Sequence, residues 1–109
     1  MSPFLLTEFE LLILLAALRL GPDEAYTVTI AKEIRKRTGR AVRRSNIFTA
    51  LVRLEENGLV ESRIGEPRTG RAGRPPRLVR VTSRGVEAAG EMTRGIRALA
   101  GDLVLGDAR

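Results

Sequence analysis

The sequence predicts a mostly α-helical chain with one small β-hairpin, in the order helix, helix, helix, strand, strand, helix. Apolar residues recur at helical spacing in three stretches before Gly58 and again after Ser83. Two short stretches of alternating apolar and polar residues flank a loop rich in Gly and Pro. The chain has 109 residues, 43% of them hydrophobic, which is enough for one core and too little for a second folded domain.

The first helix is expected to begin after Thr7, a suitable N-cap, and to end at Leu20, before Gly21-Pro22. Its leucines cover more than one face, which indicates a helix buried on two sides. We expect most of them in the core and the rest against a partner subunit. The second helix is expected to run from Tyr26 or Thr27 to Thr38, and Gly39 ends it.

A third helix is predicted between a Ser45 or Asn46 cap and Asn57. Its buried stripe is Ile47, Leu51 and Leu54. The remaining face is polar or small, and it comprises Asn46, Thr49, Ala50 and Arg53. Such a face suits insertion into a DNA major groove, where Asn and Arg pair with base edges. An ordinary solvated helix face is the alternative.

The hairpin is predicted from strands at Leu59–Ile64 and Arg77–Thr82. The loop between them, Gly65–Pro76, holds Arg68, Arg71 and Arg74 among Gly and Pro residues, and this composition predicts an exposed basic loop without core residues. An exposed linker is the alternative, but a loop inside one hairpin has no domains to link. A wing that contacts DNA is therefore favoured.

The final helix is expected from Ser83, with a heptad seam of five apolar residues. They are Ala89, Met92, Ile96, Leu99 and Leu103. A seam that extends this far past the hairpin has little core of its own chain to cover, so a partner subunit is the better cover. The predicted dimer interface comprises Leu5, Leu12, Met92, Ile96, Leu99 and Leu103.

Charge and missing residue types narrow the function. The formal net charge is +6, and 17 of the 19 basic residues are arginines, which favours an acidic polymer as partner. The chain has no Cys and no His, which argues against zinc sites built on them, disulfides and Cys or Ser-His catalysis. We therefore expect neither an enzyme nor a metal or other cofactor. Glu8 and Glu10 interrupt the apolar N-terminal stretch, so a cytoplasmic protein without signal peptide or membrane span is expected.

Three stretches resemble the PadR family of bacterial transcriptional regulators, and the resemblance covers nearly the full length. "LTEFELLILLAALRLGP" resembles that family's first helix, "SNIFTALVRLEENGLVESRIGEP" its recognition helix and wing, and "VTSRGVEAAGE" its returning strand and Thr-x-x-Gly helix start. The resemblance implies a winged helix-turn-helix over residues 1–82, a dimerisation helix over residues 83–109, and a homodimer. The DNA-binding residues predicted from the residues and the resemblance together are Arg43, Arg44, Ser45, Asn46, Thr49, Arg53, Arg68, Arg71, Arg74 and Arg77.

The sequence departs from the family pattern at several positions. Phe48 stands where the family commonly has Tyr, and Phe cannot donate a phenolic hydrogen bond to phosphate. Leu78-Val79 replaces an aromatic pair, and the chain has no Trp. A small-molecule effector is therefore not predicted, although the sequence leaves one open.

The function expected from these features is sequence-specific binding of double-stranded DNA, with repression by occupancy of a pseudo-palindromic operator. Two alternatives remain. One is an RNA-binding module, although only 4% of the residues are aromatic and sequence-specific RNA readers usually stack bases on aromatic rings. The other is a dimeric protein-interaction adaptor that binds no specific DNA.

Overall fold

The computed structural model describes residues 6–67 and 74–106. In these residues four helices and a two-stranded sheet occur in the predicted order, so the predicted fold class is confirmed. The elements are α1 (Glu8–Leu20), α2 (Thr27–Thr38), α3 (Arg44–Glu56), β1 (Val60–Ile64), β2 (Arg77–Val81) and α4 (Ser83–Ala100).

The start of α1 is fixed by a capping box, as its sequence predicts. The Thr7 hydroxyl accepts a hydrogen bond from the Glu10 amide at 3.0 Å, and the Glu10 carboxylate accepts one from the Thr7 amide at 2.9 Å. The helix passes through the centre of the molecule and contacts α2, α3, α4 and β2. Burial on more than one side explains why its leucines do not form a single stripe.

The start of α3 differs from the prediction. Arg43 is the N-cap and Arg44 the first helical residue, and no side chain caps the helix. Ser45 and Asn46 therefore lie inside the first turn. The buried stripe is as predicted, since Ile47, Leu51 and Leu54 all pack in the core.

The hairpin is antiparallel and pairs Val60 with Val81 at one end and Ile64 with Arg77 at the other. β2 also bonds beyond β1, because the Val79 amide donates to the Ala25 carbonyl at 2.9 Å. Burial departs from simple alternation: Leu78 and Val79 are both buried, whereas Ile64 is exposed.

The end of the wing loop also differs from the prediction of an exposed loop without core residues. Pro76 is fully buried, and its carbonyl accepts a hydrogen bond from the Gly65 amide at 2.8 Å. A Cβ at Gly65 would lie 3.4 Å from the Pro76 ring and closer still to Leu78. The base of the loop therefore packs tightly against β2.

The Thr-x-x-Gly sequence joins the hairpin to α4. The Thr82 hydroxyl donates to the Gly58 carbonyl at 2.7 Å and accepts from the Gly85 amide at 3.1 Å. A Cβ on Gly85 would lie 2.2 Å from the Leu59 carbonyl oxygen. Only glycine therefore allows α4 to approach the start of the hairpin this closely.

The apolar stripe of α4 leaves the core as the helix proceeds. Ala89 is buried and Met92 packs against the core cluster, whereas Ile96 is 51% and Leu99 84% exposed. The prediction that Leu103 continues this helical seam is wrong, because α4 ends at Ala100 and Gly101 is its C-cap. None of the helices in the described ranges has the length and apolar character needed to cross a membrane.

Candidate nucleic-acid interface

The core stripe of α3 turns the rest of that helix outward and divides its surface into two slopes. The slope toward the start of α1 carries Asn46, Thr49 and Arg53. The opposite slope faces the hairpin and carries Phe48 and Val52. The structure therefore brings three predicted base-contacting residues together, on the side of α3 away from the predicted wing arginines.

Asn46 and Thr49 lie on the α1 slope beside the α2–α3 connector, and both are exposed. The Thr49 hydroxyl donates to the Ser45 carbonyl at 3.0 Å. Its proton is therefore used within the helix, and the oxygen keeps a lone pair as an acceptor. Asn46 retains both amide donors and its carbonyl oxygen for a ligand, since no side-chain hydrogen bond of Asn46 occurs within the described ranges.

Arg53 does not extend freely into solvent. Its Nε lies 3.1 Å from the Glu10 carboxylate, which is buried, although the Arg53 side chain itself is mostly exposed. The carboxylate that closes the capping box of α1 therefore also orients a guanidinium of α3. The neighbouring Glu8 pairs with Arg40 of the connector at 3.1 Å, but both of those side chains are well exposed.

Arg43 and Arg44 occupy the N-cap and first position of α3, and both are exposed. Within residues 6–67 and 74–106, neither forms a salt bridge with a carboxylate. Two cations at the positive end of a helix dipole are electrostatically unfavourable, and this helix has no acidic residue in its first turn. The site therefore favours an anion, which can also accept hydrogen bonds from the backbone amides of the first turn.

The predicted wing arginines have different environments. Arg77 donates to the Ser62 hydroxyl at 3.1 Å and lies 3.8 Å from the Glu55 carboxylate, so its charge is partly offset. Arg74 is exposed and lines the groove between α3 and the hairpin. Arg68 and Arg71 lie outside the described residues.

Phe48 and Val52 are surface residues that the sequence pattern did not assign to the site. They are 53% and 41% exposed and lie one turn apart. A signal was available in the sequence, because neither residue falls on the spacing of the Ile47, Leu51 and Leu54 stripe. Two exposed apolar residues on a predicted recognition helix indicate a contact surface.

Charge along α3 runs from positive to negative. Arg43 and Arg44 begin the helix, and Glu55 and Glu56 end it. Arg53 also lies in the last turn, but Glu10 offsets its charge. Among the described residues, the positive charge of α3 without a carboxylate partner is therefore at its N-terminal end. On α2 the hydrogen bond from Arg37 lowers the pKa of the Glu33 carboxyl below its ordinary value.

The predicted dimer residues that the structure describes lie on α1, on α4 and after α4. Leu12 and Met92 are half-buried and pack against the core, whereas Ile96 and Leu99 are exposed on α4. Leu103 is exposed beyond the helix, and Leu5 lies outside the described residues. On α1 the more exposed leucines are Leu15 and Leu18.

Comparisons with known proteins agree with this architecture. The model of the transcriptional regulator PadR-like family matches residues 14–91, whereas no curated protein sequence matches the chain. A transcriptional regulator from Clostridium thermocellum has a similar structure, with a TM-score of 0.67, 21% identity and coverage of 84% of each chain.

Two further solved structures share the fold. A PadR-like transcriptional regulator from Bacillus cereus has a TM-score of 0.65 at 17% identity, and 89% of this chain and 94% of that chain are covered. A PadR family transcriptional regulator from Eggerthella lenta has a TM-score of 0.63 at 22% identity, with coverage of 82% and 74%. The matched residues include α2, α3, the hairpin and the first half of α4, and the chain belongs to the PadR-like family of transcriptional regulators, which are not enzymes.

Proposed function

We propose that the chain is a cytoplasmic, homodimeric repressor that binds a pseudo-palindromic operator in double-stranded DNA. The observation that carries this proposal is the start of α3, where Arg43 and Arg44 are exposed and have no carboxylate partner in the described part of the chain. Phosphate oxygens supply the missing negative charge and accept hydrogen bonds from the free amides of the first turn. Membership of a regulator family supports the same function.

The charge gradient of α3 sets the direction of docking. Its N-terminal end carries Arg43 and Arg44, whereas its last turn carries Glu55, Glu56 and an Arg53 that is paired with Glu10. The N-terminal end therefore enters the groove and the carboxylates stay away from phosphates. Asn46 and Thr49 are then next to the base edges. In this orientation Asn46 is the strongest candidate for direct base recognition, since its amide pairs with adenine through two hydrogen bonds.

The hairpin supplies contacts that do not depend on base sequence. Arg74 and Arg77 are exposed on the side of the groove opposite α3, where guanidinium groups neutralise phosphates. Arg68 and Arg71 of the same loop remain predicted phosphate contacts. Arg53 reaches DNA from a fixed position because Glu10 holds its Nε.

The proposal of a dimer rests on the apolar stripe of α4. The stripe is buried where α4 contacts the rest of the chain and becomes exposed at Ile96 and Leu99, so a second α4 is a natural cover. Exposed Leu15 and Leu18 on α1 add apolar surface. In a two-fold dimer the two α3 helices contact half-sites about 34 Å apart.

Selection of binding sites from a random duplex library tests the proposal. We expect a palindromic consensus bound at least a thousand-fold more tightly than random duplex, which is about the lower limit for specific regulators. Equal, weak binding to every duplex would favour the protein-interaction adaptor. Displacement of the selected duplex by single-stranded RNA at equal concentration would favour the RNA-binding alternative.

A further inference from the structure

The hairpin-facing slope of α3 combines an apolar surface with a rim that carries both arginines and carboxylates. Phe48 and Val52 form the apolar patch of α3, and both side chains are exposed. They line a groove of about 540 Å³ together with Glu55 and Glu56 of α3, and its other wall includes Arg74, Pro75 and Arg77 of the hairpin. Burial of an exposed aromatic ring against a partner is favourable because it removes apolar surface from water. The patch is therefore a candidate contact surface.

The charges around the patch and its position on α3 limit the class of ligand that fits it. Arg77 is held toward Glu55 and Ser62, and Arg74 lies beside it on the same wall. The carboxylates of the groove, Glu55 and Glu56, lie at the C-terminal end of α3, whereas Phe48 lies one turn after the exposed Arg44 at its N-terminal end. A polyanion that presents an apolar group and docks at the N-terminal end of α3 can contact both the patch and the arginines of that end.

The major groove of duplex DNA has one such apolar group. Among the base edges exposed there, only thymine carries a methyl group, at C5, and apolar side chains contact it. We infer that Phe48, supported by Val52, is a specificity residue that packs against the C5 methyl of a thymine in each half-site. This inference rests on the proposed function and adds to it a base preference on the slope opposite Asn46.

The test removes the methyl group from the DNA, so protein folding does not affect the result. Each thymine of the selected operator is replaced in turn by deoxyuridine, which keeps the same hydrogen-bonding edge and lacks only the methyl. For one symmetric pair of positions, we expect about a four-fold loss of affinity for each half-site in fluorescence anisotropy titrations. Replacement at the other thymines is expected to have little effect.

Variants of the protein show which residue contacts the methyl. In Phe48→Ala the deoxyuridine operator and the thymine operator should bind equally, whereas Phe48→Leu should retain part of the difference. Val104→Ala, a truncation at a 93% exposed position in the segment after α4, is the matched control and should keep the full four-fold effect. Circular dichroism of each variant verifies that it is folded.

The possible failures are distinguishable. If no operator is selected, both the proposed function and this inference are overturned. If a palindromic operator is selected but deoxyuridine has no effect at any position, or the same effect in Phe48→Ala as in the original chain, the proposed function stands and the Phe48 contact is overturned.

Discussion

α3 and α4 each leave one face uncovered by the described part of the chain, but the two faces have opposite chemistry. α3 begins with two exposed arginines and α4 ends with exposed Ile96 and Leu99. Burial of apolar surface away from water is favourable. Arginine side chains are well solvated, and their main favourable interaction is with a matching negative charge. The contrast indicates two different partners, a second α4 for one face and a polyanion for the other.

The largest effect is expected from substitutions in the exposed apolar face of α4. Replacing Ile96 and Leu99 together by Asp places two charges in the proposed dimer seam, and we expect monomers in sedimentation equilibrium. Operator affinity should fall by roughly 100-fold or more, because the two half-sites then bind separate molecules. Ile64→Asp, at an exposed apolar position of β1, should leave the oligomeric state unchanged. A monomeric unmodified chain at micromolar concentration would refute the seam.

The second prediction compares the stability effects of glycine substitutions at the start of α4, which packs closely against Leu59, and toward its exposed end. Gly85→Ala places a methyl group against the Leu59 carbonyl, and we expect a loss of about 3 kcal/mol in the free energy of unfolding. At Gly95 a Cβ meets no atom within 4 Å, so Gly95→Ala should raise stability by about 0.5 to 1 kcal/mol. Urea denaturation measures both. Equal effects of the two substitutions would contradict the close approach at Gly85.

The third prediction concerns removal of the two exposed arginines at the start of α3. Arg43→Ala combined with Arg44→Ala should weaken binding to every duplex by roughly ten-fold or more. The slope of log affinity against log salt should decrease by about 0.9 for each phosphate that the variant no longer neutralises. Replacing Lys32 and Lys36 of α2 by Ala removes the same charge at other exposed positions and should change the slope less. An unchanged slope in the Arg43 and Arg44 variant would exclude these residues as phosphate contacts.

The fourth prediction tests base recognition on the α1 slope of α3. Asn46→Ala should weaken operator binding by about ten-fold and leave random duplex binding nearly unchanged, since removal of a good base contact typically costs ~1 to 3 kcal/mol. Titrations with operator and random duplexes measure the two values. The same weakening on both duplexes would mean that Asn46 contacts phosphate and that base recognition lies elsewhere on the helix.

The smallest effect is expected from releasing Arg53. Glu10→Gln removes the buried carboxylate that holds its Nε, and we expect roughly a three-fold loss of operator affinity, the size typical of a partly exposed ion pair. Glu8→Gln changes the net charge equally but breaks only the exposed pair with Arg40. Its affinity should stay within error of the unmodified chain. Equal effects of the two substitutions would mean that Arg53 needs no positioning.

Local features of the sequence were sufficient for the order of elements and for the core stripe of α3. The Thr7 cap, the Gly21, Gly39 and Gly58 stops, and the 4 and 3 residue spacing from Ile47 act within a few residues of each other, and the structure confirms them. The predicted N-cap of α3 was wrong by two or three residues because Ser45 and Asn46 are better caps by type than Arg43. That helix instead begins at a residue whose side chain makes no capping bond.

The sequence by itself determined the composition of the candidate site: a basic helix start, a polar outer face and an arginine-bearing hairpin. Only the tertiary structure decided which side chains face one another. The pair between Glu10 and Arg53 joins residues 43 positions apart in the sequence, and the close approach at Gly85 depends on the path of the chain at Leu59. Side-chain periodicity specifies the face on which a residue lies, but the contacts of that face depend on how the helices pack, which no local pattern encodes.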